Sequence, residues 1–175
     1  YATADARVQR VVNEALEHGL EQYERRHPKA LGVIQGSVVV LQNSDGRILA
    51  ETGGRQVFKG RSASYSDYNR VTQSLRQPGS PLKPMVYIAA FAQGGDTLET
   101  LVPDEPISVP DGDARPPKWI SNYDGRFKGL IPVRQALAES RNAVAMWVTA
   151  QIGIDRVLRT SRSLGVRTPL ERYPT

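Results

Sequence analysis

The sequence predicts an α+β domain that is mostly helical, and three observations carry that prediction. Five stretches place apolar residues at helical spacing, one stretch reads as a single β-hairpin, and a long segment rich in Pro, Gly and Asp has no period. The 175 residues, 39% hydrophobic and 23% charged, suit one globular domain able to bury a core. Two strands alone make a marginal sheet. The antiparallel sheet is therefore expected to be incomplete, its other strands supplied by a continuation of the chain or by a second polypeptide.

In order, "DARVQRVVNEALEHGLEQYERRH" from Asp5 to His27 sets Val8, Val12, Leu16, Leu20 and Tyr23 on one helical stripe, widened by Val11 and Ala15. Pro28 stops that helix. "GSVVVLQNSDGRILAETGG" follows as a hairpin, with β-branched Val38 to Leu41, a tight turn at Asp45-Gly46, a return over Arg47 to Thr52, and Gly53-Gly54 to end it. "RQVFKGRSASYSDYNRVTQSLRQPG" is polar and reads as a loop with one helical turn. A helix then runs from Ser80 to about Gln93, ended by Gly94-Gly95. "LVPDEPISVPDGDARPPKWISNYDGRFKG" is read as mostly irregular, and a loop this long inside a compact domain is usually functional or mobile. Pro132 starts the helix "PVRQALAE", which breaks around Ser140-Arg141-Asn142 and resumes as "AVAMWVTAQIG"; "DRVLRTSRSLG" is a last amphipathic helix. This divides the chain into an entering helix and linker (1–35), a hairpin (36–54) and a helical part (55–175).

Several function classes are disfavoured at once. The net charge of +5 comes from scattered arginines rather than a basic block, which argues against dedicated nucleic-acid binding. There is no cysteine, hence no disulfide, thiol nucleophile or thiolate metal site, and the two histidines, His18 and His27, read as solvated surface. No metal or organic cofactor is expected. No apolar run approaches the roughly 20 residues of a membrane span, and no secretory leader is visible. Beginning at Tyr1 without Met, the sequence is expected to be a piece of a longer polypeptide.

The chemistry gathers at "RQPGSPLKPMVYIAA". Ser80 before Pro81 is a good helix opening, since Ser can cap free amides and Pro at the first position lacks an N–H that would be orphaned anyway. That reading leaves Lys83 unexplained. Residues three apart share a helix face, so Lys83 can bring its amine to the Ser80 hydroxyl, and with both histidines elsewhere a lysine is the available base for a serine nucleophile. Burial against "MVYIAAF" would disfavour the charged amine, and the helix N-terminus would favour an oxyanion. In "ESRNAVA", Ser140 and Asn142 stand in the break between two helices. Asn142 could simply cap the second helix; alternatively the pair faces Lys83 across a cleft, with a hydroxyl to shuttle a proton and an amide to hold a substrate.

Taken together, "RQPGSPLKP" and "NYDGRFKGLIPVRQALAESRNAVA" resemble the transpeptidase domain of class A high-molecular-weight penicillin-binding proteins. "DARVQRVVNEALEHGL" resembles the helix entering that domain, and the hairpin its first two strands. The resemblance implies the fold shared with serine β-lactamases and D,D-transpeptidases. It makes Ser80 the acylated nucleophile, Lys83 its base, Ser140 the proton relay and Asn142 the group that binds the donor peptide amide. Tyr123 falls where the family has an aromatic cleft wall, although Tyr123 and Trp119 could equally be loop anchors. The family's third motif, Lys-Thr/Ser-Gly, does not occur in these 175 residues.

The implied function is cross-linking of peptidoglycan through an acyl-enzyme on Ser80, with D-Ala-D-Ala stem peptides and β-lactams as partners. The implied location is the extracytoplasmic, periplasmic face of the bacterial inner membrane, with attachment only through an N-terminal anchor absent from this sequence. A D,D-carboxypeptidase or β-lactamase uses the same first motif with water as acceptor. A non-catalytic module of the same fold is the alternative from another class. Two further expectations concern completeness: that the remainder of the domain carries Lys-Thr/Ser-Gly, and that the apolar helices Met85 to Phe91 and Ala143 to Val148 stand uncovered, leaving the piece poorly stable alone.

Overall fold

The computed structural model describes residues 3–55, 68–110 and 116–170. It contains five α-helices and six short strands among the described residues, divided between two compact units, Tyr1–Arg76 and Gln77–Thr175.

In the first unit, helix α1 (Ala6–Arg26) is opened by Asp5, whose carboxylate accepts the Arg7 and Val8 amides. Strands β1 (Val38–Leu41) and β2 (Ile48–Thr52) pair antiparallel. The turn is a four-residue loop closed by the Gly46 amide on the Gln42 carbonyl at 2.8 Å, with only Gly46 at positive φ (73°) and a register shift at Val40/Leu41. Gln9 ties α1 to β2, giving its side-chain amide to the Glu51 carbonyl (2.9 Å) and accepting the Glu51 amide (3.1 Å). The buried stripe of α1 is narrower than its sequence predicts. Val12 is buried, whereas Val11, Ala15 and Tyr23 are exposed. One turn beyond Leu20 the same face buries Glu24, a charge tolerated because Arg55 Nη1 lies 2.7 Å from it and the Gly32 amide also bonds it. Of the polar loop after the hairpin, residues 56–67 lie outside the described residues; the expected single turn is present at 69–73, where the Gln73 amide bonds the Asn69 carbonyl.

The second unit holds helix α2 (Lys83–Phe91) behind a 3₁₀ turn at Ser80–Leu82, then strands β3 (Leu101–Asp104), β4 (Ile107–Val109), β5 (Lys118–Ile120) and β6 (Gly129–Pro132). Helices α3 (Val133–Ala138), α4 (Asn142–Ile152) and α5 (Ile154–Ser163) follow. The segment expected to be irregular thus supplies three strands and the first residue of a fourth, β6, which runs on to Pro132, so the helix expected from Pro132 begins at Val133; β3 pairs with β6 and β4 with β5, both antiparallel. They escape a periodicity reading because they are three or four residues long and contain Pro103 and Pro132.

Val86, Tyr87, Ala89 and Ala90 of α2 pack with Val144 and Val148 of α4, Val157 of α5, Val102 of β3 and Ile131 of β6 into one core. This corrects the expectation that the apolar helices stand uncovered. They shield one another, and the β3–β6 pair closes the core; Ile88 remains partly exposed. Tyr87 lies in that core with its hydroxyl lacking a hydrogen-bond partner among the described residues, and burial together with the Asp104 charge pushes its pKa up to about 12. An unpaired buried hydroxyl costs about 1–3 kcal/mol. Tyr87→Phe is therefore expected to leave the melting temperature unchanged or raise it, as thermal unfolding would report; a fall of several degrees would reveal a hydrogen bond the phenol depends on.

Candidate active site

Ser80 opens the 3₁₀ turn, but it is not its cap. Gly79 holds that position with φ 63°, and no side chain caps the turn. The sequence expectation of Ser80 as an N-cap is thereby corrected, and the Ser80 hydroxyl is left available for other partners. Pro81 sits in the first turn as expected.

Lys83 is 9% exposed, and its Nζ donates to three acceptors: the Ser140 carbonyl at 2.5 Å, Ser140 Oγ at 2.9 Å and Asn142 Oδ1 at 2.6 Å. Ser140 Oγ in turn lies 3.2 Å from Ser80 Oγ. The three-residue spacing predicts a direct Ser80–Lys83 hydrogen bond; the hydrogen bonds instead run from Lys83 through Ser140 to Ser80. Burial lowers the Lys83 pKa. The three acceptors oppose that effect, since an ammonium can donate to all three. Burial is the stronger influence for a side chain this enclosed.

Ser140 reaches Lys83 because of how α3 ends. The Arg141 amide bonds the Ala136 carbonyl (2.9 Å) and the Ser140 amide bonds the Leu137 carbonyl (3.0 Å), the paired bonds of a Schellman ending. Ser140 occupies the left-handed position that glycine usually takes in that motif, with φ 52°, the only positive φ outside glycine among the described residues. Asn142 does not cap α4, which the sequence left open. Its Oδ1 accepts from Lys83 and its Nδ2 donates to the Ser121 carbonyl at 2.9 Å. The cap comes from Asn122, whose Oδ1 accepts the amides of Asn142 (2.8 Å) and Ala143 (3.2 Å).

Sequence reasoning missed Asn122, Asp104 and Arg141. Asp104, fully buried, takes Arg141 Nη2 at 2.7 Å and Nε at 2.9 Å on one carboxylate oxygen and Asn122 Nδ2 at 2.7 Å on the other. Arg141 also bonds Asp124 at 2.9 Å and the Arg126 carbonyl. These interactions raise the Arg141 pKa, Asp104 first, while the Arg126 amide, and after it Arg141, lowers that of Asp124. The available signal was a charged residue inside a Ser-x-Asn break, followed by a helix too apolar to leave that charge alone.

Tyr123, largely exposed, lines a cleft of about 230 Å³ together with Asn122, Asp124, Glu139, Ser140 and Arg141. Trp119, on β5, is likewise exposed. Neither anchors its loop by burial. Among the described residues no cluster of side chains suited to a metal ion occurs, and no helix is long and apolar enough to cross a membrane.

Residues 36–171 match the penicillin binding protein transpeptidase domain family. The penicillin-binding protein 1A of Neisseria flavescens is 40% identical over 123 residues, 70% of this chain and 14% of the relative. The crystal structure of penicillin-binding protein 1A from Haemophilus influenzae superposes with a TM-score of 0.61 at 34% identity, over 75% of this chain and 18% of that one. The penicillin-binding protein PonA1 of Mycobacterium tuberculosis shares the fold, with a TM-score of 0.67 at 22% identity over 97% of this chain and 39% of that one. This chain spans well under half the length of each. It belongs to the penicillin-binding protein transpeptidase family.

Proposed function

We propose that this chain is part of a serine-type D,D-transpeptidase that cross-links peptidoglycan through an acyl-enzyme on Ser80. The observation that carries the reading is the hydrogen-bonded chain Lys83–Ser140–Ser80 at the start of a buried apolar helix. With Lys83 neutral, the Ser80 proton passes to Ser140 Oγ while Ser140 gives its own to Nζ. Ser80 Oγ then bonds to the carbonyl carbon of the penultimate D-Ala. The Ser80 amide, at the opening of the turn, supports the oxyanion, since the Leu82 and Lys83 amides are taken by the Gly79 and Ser80 carbonyls and Pro81 has no N–H. As the peptide bond breaks, the same chain runs outward and returns the proton to the departing D-Ala amine. An acceptor amine from a neighbouring stem attacks the ester, and Ser80 regains its proton. Asn142, held between Lys83 and the Ser121 carbonyl, is the group proposed to orient the donor amide, and Tyr123 to line the approach.

β-Lactams acylate the same serine in this reading. It places the protein at the extracytoplasmic, periplasmic face of the inner membrane, and a Lys-Thr/Ser-Gly element outside these residues binds the substrate carboxylate. The test is to incubate the full-length protein with a D-Ala-D-Ala stem peptide and an acceptor amine. Release of D-Ala with a cross-linked product is expected. Release with hydrolysis alone would make the protein a carboxypeptidase, and no release a non-catalytic module.

The pH dependence follows from Lys83. Only its neutral form takes the Ser80 proton, and the neutral fraction rises with pH. Because burial lowers the folded pKa, the acylation rate is expected to climb with pH and reach half its plateau below the ordinary lysine value of about 10.4. Rates of β-lactam acylation from neutral to alkaline pH check this. A limb centred at or above the ordinary value would contradict it.

A further inference from the structure

We propose that Arg141 is a positioning residue: gripped by Asp104, Asp124 and the Arg126 carbonyl, it sets the turn in which both the carbonyl and the hydroxyl of Ser140 face Lys83, while Asn122 seats Asn142. The inference rests on the acyl-enzyme reading of Ser80.

Arg141 separates the two residues that touch Lys83, yet its side chain points the other way and is only 4% exposed. Its guanidinium grips Asp104 through Nε and Nη2, Asp124 through Nη1, and the Arg126 carbonyl. The Lys128 amide adds a fourth bond to the Asp104 carboxylate at 3.1 Å. Asn122 closes the cage, donating from Nδ2 to Asp104 and to the Arg126 carbonyl (2.9 Å) and accepting the first amides of α4 on Oδ1. Among the described residues no buried side-chain polar atom of the cage lacks a partner, which stiffens it.

Stability alone is a poor explanation for such a cage. A buried ion pair is often no more stabilising than well-packed apolar residues of the same volume. What the ion pair adds is a fixed direction for the backbone at 141. Ser140 must hold a left-handed conformation that a non-glycine residue resists, and such residues persist only where their surroundings over-determine them. With its following residue clamped to β3 and to the 122–126 turn, Ser140 cannot relax without pulling a charged guanidinium off a fully buried carboxylate. Its carbonyl and hydroxyl therefore stay on Lys83 through the reaction.

The test uses the full-length protein with Arg141→Lys and Asp124→Asn. For each, the acylation rate by a fluorescent penicillin, the labelled fraction at saturation and the melting temperature are measured. Lysine keeps the charge but cannot reproduce the fork. Arg141→Lys is expected to label to the same final fraction about a hundredfold more slowly, as misplacement near 1 Å does. Asp124, 44% exposed, holds one edge of the cage, and Asp124→Asn is expected to slow acylation several-fold at an unchanged melting temperature. A lowered melting temperature with a wild-type rate in Arg141→Lys would make the cage merely structural. If that variant does not fold, a wild-type rate in Asp124→Asn overturns the inference equally. If the unaltered protein forms no adduct on Ser80, the reading of Ser80 fails separately, and the crystal structure of Arg141→Lys decides. Loss of the Ser140 carbonyl from Lys83 supports positioning, and its retention refutes it.

Discussion

Replacing Lys83 with Met is expected to lower the rate of Ser80 acylation by about a thousandfold, within the usual range for loss of a general base. Met keeps the length and apolar stem of the lysine, so its packing against α2's neighbours survives. What disappears is the group proposed to take the serine proton, along with the donor that gathers Ser140 and Asn142. The stretch Gln77–Thr175 contains no histidine that could stand in as base. The fold should tolerate the change, because removing a buried amine also removes its desolvation cost. Labelling by fluorescent penicillin as a function of time gives the rate, and circular dichroism the fold. A folded Lys83→Met protein that acylates within tenfold of the unaltered rate would assign the base elsewhere.

Ser140 should separate activity from stability. Ser140→Ala and Ser140→Gly both delete the hydroxyl proposed to relay the proton, and each is expected to slow acylation about a hundredfold. Their stabilities should differ. Alanine inherits the left-handed backbone at φ 52°, whereas glycine adopts it without a Cβ clash, so Ser140→Gly is expected to be about 1 kcal/mol more stable than Ser140→Ala. Denaturant unfolding of the two checks this. Equal stabilities would mean that the Schellman turn places no strain on residue 140.

The parts of this site that sequence could reveal are those made by short-range spacing. Ser80 and Lys83 stand three apart at a helix start, and the cap-forming residues around Ser140 mark a helix break, so both motifs were visible before any fold was known. The link between them was not. Ser140 stands 57 residues from Lys83, and its place between Lys83 and Ser80 depends on a left-handed turn that no residue preference announces at serine. The cage was hidden for a related reason. β3 alternates Val102 and Asp104 toward the interior, and an aspartate on the buried face erases the alternation that marks a strand. That aspartate is tolerable only because Arg141, 37 residues later, folds back onto it. Likewise Asn122 sits in a stretch dense with turn-formers, where an asparagine capping a helix 20 residues away looks like any other. On α1, the stripe was legible from Val8 to Leu20, but the burial of Glu24 depended on Arg55, beyond the hairpin.

Locating a covalent adduct shows whether Ser80 carries the acyl group. The full-length protein is treated with a penicillin, digested and analysed by tandem mass spectrometry, with Ser80→Ala alongside. A penicilloyl mass is expected on the peptide containing Ser80, with fragment ions assigning it to that hydroxyl, and no adduct in Ser80→Ala. An adduct on Ser140 or any other residue, or an undiminished adduct in Ser80→Ala, would contradict an acyl-enzyme on Ser80.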